Sequence, residues 1–251
     1  MFEEKDCNFD AYVRLMSIIR ETGRYMDFRA ALGKDEFIVA RHDIEFSIER
    51  AHDLAELEAG QGFHTSYLVQ LTNNAYNPFS KKNLDMLKSI VSMGHNVGLH
   101  YHTNGQEDVE VIRKEIKEQA EILSSFLCAP VDRFSFHRPP AALLRHGIKV
   151  EGLLNTYSKE FFTYTDDIAS LKPTDVHYLS DSNHQWKFGQ PTKEWIDAHK
   201  KIQCLFHPLS WTRNGSTHVG CFKSLVEEKR AVFIETIKNE WKYFHLLEGE
   251  L

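Results

Sequence analysis

Only four cysteines occur in the 251 residues, Cys7, Cys128, Cys204 and Cys221, and no two are close in sequence. Such spacing excludes a zinc ribbon and a Cys-x-x-Cys redox pair, and fits the reduced, buried thiols of a cytoplasmic chain. No stretch approaches 18 apolar residues, so no membrane span is expected. Residues 1–6, Met-Phe-Glu-Glu-Lys-Asp, are acidic and lack the apolar core of a secretory signal. Basic residues are in the minority, 30 against 36 acidic ones, and the net charge of -6 removes the electrostatic case for nucleic acid or an anionic membrane as partner. No Gly-x-Gly-x-x-Gly loop follows the first predicted strand, which argues against a dinucleotide-binding open sheet. No Pro/Gly/Ser linker or break in composition divides the chain, so one domain over residues 1–251 is expected.

What is present is globular: 42% hydrophobic and 26% charged residues suffice for one sizeable core. Histidine is plentiful, 14 in all, which directs attention to proton transfer or metal binding. The stretch Gly94-His95-Asn96-Val97-Gly98-Leu99-His100-Tyr101-His102-Thr103 reads as a strand ending in a polar loop. Residues i and i+2 share a face of a strand, so His100 and His102 point the same way at its end.

Around it the chain alternates strand and helix. Residues 9–22 are helical, residues 37–40 form an apolar strand, and Ser47 caps a helix from Ile48 to about Ala59. Further strands are expected at 65–69, 133–136, 152–155, 176–179 and 202–206, with helices following Ser80 and over 107–127, 192–200 and 222–247. The last helix is expected to bury Leu225, Val232, Ile234 and Ile237, with Phe244 beyond. Repeated strand–helix units of this length predict an α/β fold with a parallel sheet, closed or nearly closed into a barrel. Polar residues collect at the carboxyl ends of these strands: Asp43 and Glu45, His100 and His102, Arg138, Asp181, His207. In a parallel barrel those ends form one face, where active sites lie. Read singly, Arg41 could simply neutralise Asp43 and Glu45, Arg138 could stiffen a turn before two prolines, and Asp181 could make an Asx turn.

Two motifs carry a family resemblance: Arg41-His42-Asp43-Ile44-Glu45-Phe46-Ser47, and Gly94-His95 followed by Gly98-Leu99-His100-Tyr101. With His137-Arg138-Pro139-Pro140, Asp181 to Trp186 and Leu205-Phe206-His207-Pro208, they resemble in order the motifs of the polysaccharide deacetylase (NodB-like, carbohydrate esterase family four) superfamily, in particular its short intracellular branch. The resemblance implies a distorted (β/α) barrel and a metal-dependent hydrolase that removes N-acetyl, or O-acetyl, groups from a sugar or glycan precursor. It assigns Asp43 as catalytic base, Glu45 and His100 as metal ligands, Arg138 as the arginine orienting the base, Asp181 as the residue tuning the acid, and His207 as general acid. A divalent metal, zinc by that likeness, is implied as cofactor. The family's second metal histidine falls here on Asn104, so His102 is expected to take its place. Glu45 stands where the family usually has Asp, and Gln185 where Asp precedes the tryptophan. Tyr76, Trp186 and Trp211, with Phe162, are candidates for stacking on the carbohydrate. The alternatives are an amidohydrolase-type metal hydrolase, which also uses His-x-His on a barrel strand, and a catalytically weak barrel kept for binding a glycan or a partner protein.

Overall fold

The computed structural model describes residues 7–250; the acidic segment 1–6 lies outside the described residues. Seven strands, β1 (Phe37–Ile44), β2 (Ser66–Val69), β3 (Asn96–His102), β4 (Arg133–His137), β5 (Leu154–Asn155), β6 (Val176–Ser180) and β7 (Lys201–Phe206), form one sheet in the order β5-β4-β3-β2-β1-β7-β6. Every pairing is parallel. The helices are α1 (Phe9–Glu21), α2 (Phe28–Ala31), α3 (Ile48–Gly60), α4 (Lys81–Ser92), α5 (Val109–Leu127), α6 (Ala141–His146), α7 (Lys193–Ala198) and α8 (His218–Glu240).

The sheet is curled. From β7, the Gln203 amide reaches the Thr156 and Phe161 carbonyls that follow β5, at 2.9 and 2.6 Å, so the two ends of the sheet approach across the interior. No ladder joins β5 to β6 among the described residues, and the fold is a distorted (β/α) barrel with a gap between its edge strands.

All eight residues of β1 are buried, as expected of a strand covered on both faces. Alternation sends Ile38 and Ala40 outward into a core with α1 and α3, while Phe37 and Val39 point inward onto Phe28 and Phe161. The same alternation turns Arg41 and Asp43 inward and His42 outward. β1 thus runs four residues beyond its apolar segment, since buried partners compensate the three ionisable side chains. Gly98 of β3 is required by close approach: a Cβ there would stand 2.4 Å from Leu68 and 2.8 Å from the Arg133 carbonyl. Near the amino ends of the strands the buried Arg133 side chain pairs with Asp27 and Asp132 and donates to Ser66. Those ionic groups satisfy one another, and the opposite end of the barrel is free to be functional.

The last helix departs from expectation. It starts at His218 and ends at Glu240, and of its apolar residues Cys221 and Leu225 are buried while Val226, Val232 and Phe233 are exposed. Periodicity reported an apolar stripe there, but the second half of α8 has no core to cover. No helix among the described residues is long and apolar enough to cross a membrane.

Candidate active site

At the carboxyl ends of β1, β3, β4, β6 and β7 lies a cavity of about 270 Å³ lined by Asp43, Glu45, His100, Arg138 and His207 among others. Three groups of side chains meet in it.

The first is an ion pair within β1. Arg41 Nη1 donates to both carboxylate oxygens of Asp43, each at 2.6 Å, and both residues are buried. Arg41 is fixed from behind by Gln203, whose Oε1 accepts from Nε at 2.9 Å, and its guanidinium lies over the Tyr157 ring at 4.7 Å. Two residues apart on a strand, Arg41 and Asp43 necessarily share a face. The assignment of Arg138 as the partner of Asp43 is therefore corrected: Arg41 fills that role. Arg138 lines the cavity on a strained backbone, φ 46°, between β4 and two prolines.

The second group is a set of converging donor atoms. Glu45, His100 and His137 each offer one ligand atom, all within 4.8 Å of one another. His100 Nε2 is 3.2 Å from His137 Nδ1, His137 Nδ1 is 2.9 Å from Glu45 Oε1, and His100 Nε2 is 3.9 Å from Glu45 Oε1. A tetrahedral ion with ligand bonds of about 2.0–2.1 Å needs donors about 3.4 Å apart, and these separations bracket that value. The tautomer of His100 also fits. Ser135 Oγ donates to Asp43 Oδ1 at 3.3 Å, so it accepts from His100 Nδ1 at 2.6 Å and leaves the Nε2 lone pair facing the other two donors. This oxygen–nitrogen–nitrogen set suits a divalent transition ion. Burial disfavours the charged form of Glu45, but the neighbouring His137, His100 and His207 imidazoles outweigh it and hold the carboxyl well below its ordinary range.

His102 does not belong to the set; His137 takes its place. His102 ends β3, half-buried, packed edge-on against the His137 ring at 4.8 Å between centroids. The His137 ring reaches diagonally from β4, past Ser135, the register partner of His100, and brings its Nδ1 within 3.2 Å of His100 Nε2. His137 sits in register with His102 across β3 and β4. The sequence signal for it was its position at the end of a strand, beside the more conspicuous Arg138.

The third group is His207 with Asp181. Asp181 is fully buried and accepts from the His207 backbone N–H at 3.1 and 3.0 Å, from His207 Nδ1 at 2.6 Å and from Trp211 Nε1 at 2.7 Å. Burial of His207 disfavours its charged form, but the Asp181 carboxylate overrides this and pushes the imidazole pKa up to about 9. With Nδ1 engaged, Nε2 is the nitrogen left to the cavity.

The three tryptophan and tyrosine residues expected to stack on carbohydrate lie elsewhere. Tyr76 is buried; its hydroxyl donates to the Ile44 carbonyl at 2.6 Å and accepts from the Gln70 N–H at 3.0 Å, tying the loop after β2 to β1. Trp186 and Trp211 belong to the core beneath β7 and α1, and Trp211 serves the site only by holding Asp181. Aromatic side chains in polar loops were read as platforms, but each here is an anchor.

No family model matches the chain, and no curated protein matches it in sequence. Among solved structures it is similar to the carbohydrate esterase family 4 pseudoenzyme BA3943 of Bacillus anthracis, at 14% identity and a TM-score of 0.42 over 79% of this chain and 62% of that one. It is likewise similar to the chitin deacetylase of Colletotrichum lindemuthianum, at 13% identity and a TM-score of 0.43 over 77% and 81% of the two chains. A family 4 carbohydrate esterase from Streptomyces lividans, in complex with acetate, gives 14% identity and 0.41 over 78% and 88%. The chain spans less than two thirds of the length of the Bacillus protein. Two of these three structures are carbohydrate esterase family 4 proteins.

Proposed function

We propose that the protein is a metal-dependent hydrolase that cleaves an acyl group from the nitrogen, or oxygen, of a sugar or glycan precursor. One observation carries the reading: a carboxylate–imidazole–imidazole donor set faces the same cavity as a carboxylate held by a buried arginine and an imidazole held by a buried carboxylate. Glu45, His100 and His137 would hold the ion, which supplies Lewis-acid polarisation of the acyl carbonyl.

The remaining chemistry belongs to the chain. Asp43, aimed by Arg41, accepts the proton of the attacking water through a lone pair that the arginine leaves free. His207, protonated at neutral pH because of Asp181, donates from Nε2 to the leaving nitrogen or oxygen. A base and an acid kept apart in charge by separate partners can act together at one pH. Arg41 and His137 favour this reading over that of a merely binding barrel, whose support was Asn104 in place of a histidine and Gln185 in place of an aspartate.

The test is acetate release from N-acetylglucosamine oligomers by protein loaded with zinc, alongside His137→Ala. Expected are acetate release that a chelator abolishes and zinc restores, and a loss of zinc affinity of at least about 100-fold in the variant, read by equilibrium dialysis. Full activity in excess chelator would overturn the metal role, and zinc bound equally well by His137→Ala would overturn the donor set.

A further inference from the structure

A second cavity, also of about 270 Å³, lies beside the first and shares Pro139, Tyr157 and Tyr178 with it. Its character is opposite. Not one of its lining residues carries a charge, whereas the first cavity has Asp43, Glu45 and Arg138 in its wall. It lies where the barrel fails to close, between β6 and the segment that follows β5. Its wall is a chain of edge-on aromatic contacts: Tyr157 on Phe162 at 5.0 Å, Phe162 on Tyr178 at 5.3 Å and Tyr178 on Phe188 at 5.5 Å between centroids. At its mouth Phe188 and Ile168 are 41% and 43% exposed, large apolar surface left in water beside a reactive centre.

We infer that this cavity receives the acyl chain of the substrate, and that the protein acts on amides or esters of an aliphatic acid longer than acetate. The inference rests on the acyl-hydrolase reading above. Three observations select this occupant. The lack of charge rejects a phosphate or a carboxylate; hydroxyls of Tyr157, Tyr164, Tyr178, Thr163 and Thr165 occur in the wall, but most of its surface is carbon, which an aliphatic chain covers. The dividing wall belongs to the base's side of the site, since Arg41, which holds Asp43, lies over Tyr157 and donates to the Tyr178 hydroxyl at 3.3 Å. The leaving group must reach the acid, His207, held by Asp181 at the end of β6 and, through Asp181, by Trp211, and it needs a polar partner there. The acyl substituent is the part of the substrate that needs no polar partner, and an uncharged aromatic cavity that shares its wall with the site suits it.

Burial of each methylene is worth roughly a fourfold gain in binding. The experiment compares zinc-loaded protein on N-acetyl-, N-butyryl- and N-hexanoylglucosamine, with Phe188→Asp as the variant; Phe188 is at the mouth and outside the catalytic groups. Expected is a kcat/KM at least tenfold higher for hexanoyl than for acetyl, and a loss of at least fivefold on hexanoyl in the variant with acetyl unchanged within twofold. Preference for acetyl, or equal losses on both substrates, would overturn the assignment. If no acyl sugar is cleaved, the hydrolase reading fails separately, and calorimetry with hexanamide and acetamide still decides the cavity. Hexanamide binding at least tenfold tighter, and weakened by Phe188→Asp, supports it; equal affinities overturn it.

Discussion

His42 and Asp43 are neighbours in β1, both buried and both ionisable, yet they belong to two different kinds of polar cluster. On the outer face, His42 Nε2 is 3.0 Å from Glu58, whose carboxylate also accepts from Tyr12, from Thr65 Oγ1 at 2.6 Å and from Tyr67 at 2.7 Å. Burial opposes the charge on Glu58, but His42, His95 and Thr65 outweigh it and bring its pKa down to about 2. This cluster is closed: its carboxylate is saturated by side chains of α1, β1 and β2 and of Thr65 just before β2, and none of these residues lines the catalytic cavity. On the inner face Asp43 is just as deeply paired, but it lines an open cavity together with Glu45, His100 and His207. Burial, shifted pKa and ion pairing are common to both faces. What separates a site from a strut is an unfilled volume at which several polar atoms aim.

The comparison is broken most sharply by neutralising one carboxylate on each face. Asp43→Asn is expected to cost turnover about 10³-fold, within the range for losing a general base. It is also expected to cost roughly 3–5 kcal/mol of stability, because Arg41 is left buried without its counter-ion. Glu58→Gln is expected to cost stability on a similar scale, roughly 3 kcal/mol or about 10 °C in melting temperature, with kcat of the folded protein unchanged. Thermal denaturation and kcat on both variants check this. A turnover defect in folded Glu58→Gln would mean that the outer cluster is not merely structural.

A smaller effect sharpens the inner face through pH. The folded pKa of His207 is raised above the ordinary histidine value of about 6.5, so the stabilisation it gains from Asp181 is complete below pH 6.5 and is lost as pH rises through about 9. The expected loss across that window is roughly 2–3 kcal/mol in metal-free protein, measured by urea denaturation in chelator. Asp181→Asn should flatten the slope, whatever it does to the absolute stability. A slope that survives in the variant would place the titrating group elsewhere.

The two faces were not equally legible in the sequence. Strand–helix alternation and the polar strand ends carried the barrel, and Asp43 with Glu45, His100 and His207, backed by Asp181, come together at one cavity from four separate places in the chain. Pairs across strands were hidden, because register is not written in local pattern. The sequence pattern favours His102 over His137 on that account, and Arg41 reads there only as a residue that could neutralise Asp43 and Glu45, while the family motif points to Arg138. The outer cluster left no trace at all: Tyr12, Glu58 and Tyr67 lie on three elements, Thr65 and His95 just before β2 and β3, and each alone reads as an ordinary residue of its segment. Helix α2, only four residues long, is too short to show a period.

The smallest expected effect is the one that decides between the two histidines at the strand ends. His102→Ala removes an imidazole that the sequence pattern places with His100, but whose contacts in the fold are the edge of the His137 ring and the rim of the site. Burial and the neighbouring His137 lower its pKa, so at neutral pH it contributes no charge to the cavity. Loss of an aromatic edge contact is worth about 0.5–1.5 kcal/mol at most, and the half-exposed position of His102 puts it at the low end. Zinc affinity and kcat/KM should therefore stay within about threefold of the parent, against the loss of at least about 100-fold expected for His137→Ala. Equilibrium dialysis on the two single variants and the double variant checks this. Should His102→Ala release zinc as readily as His137→Ala, the ion would be held along β3 rather than across β3 and β4, and the along-strand reading of the sequence would be restored.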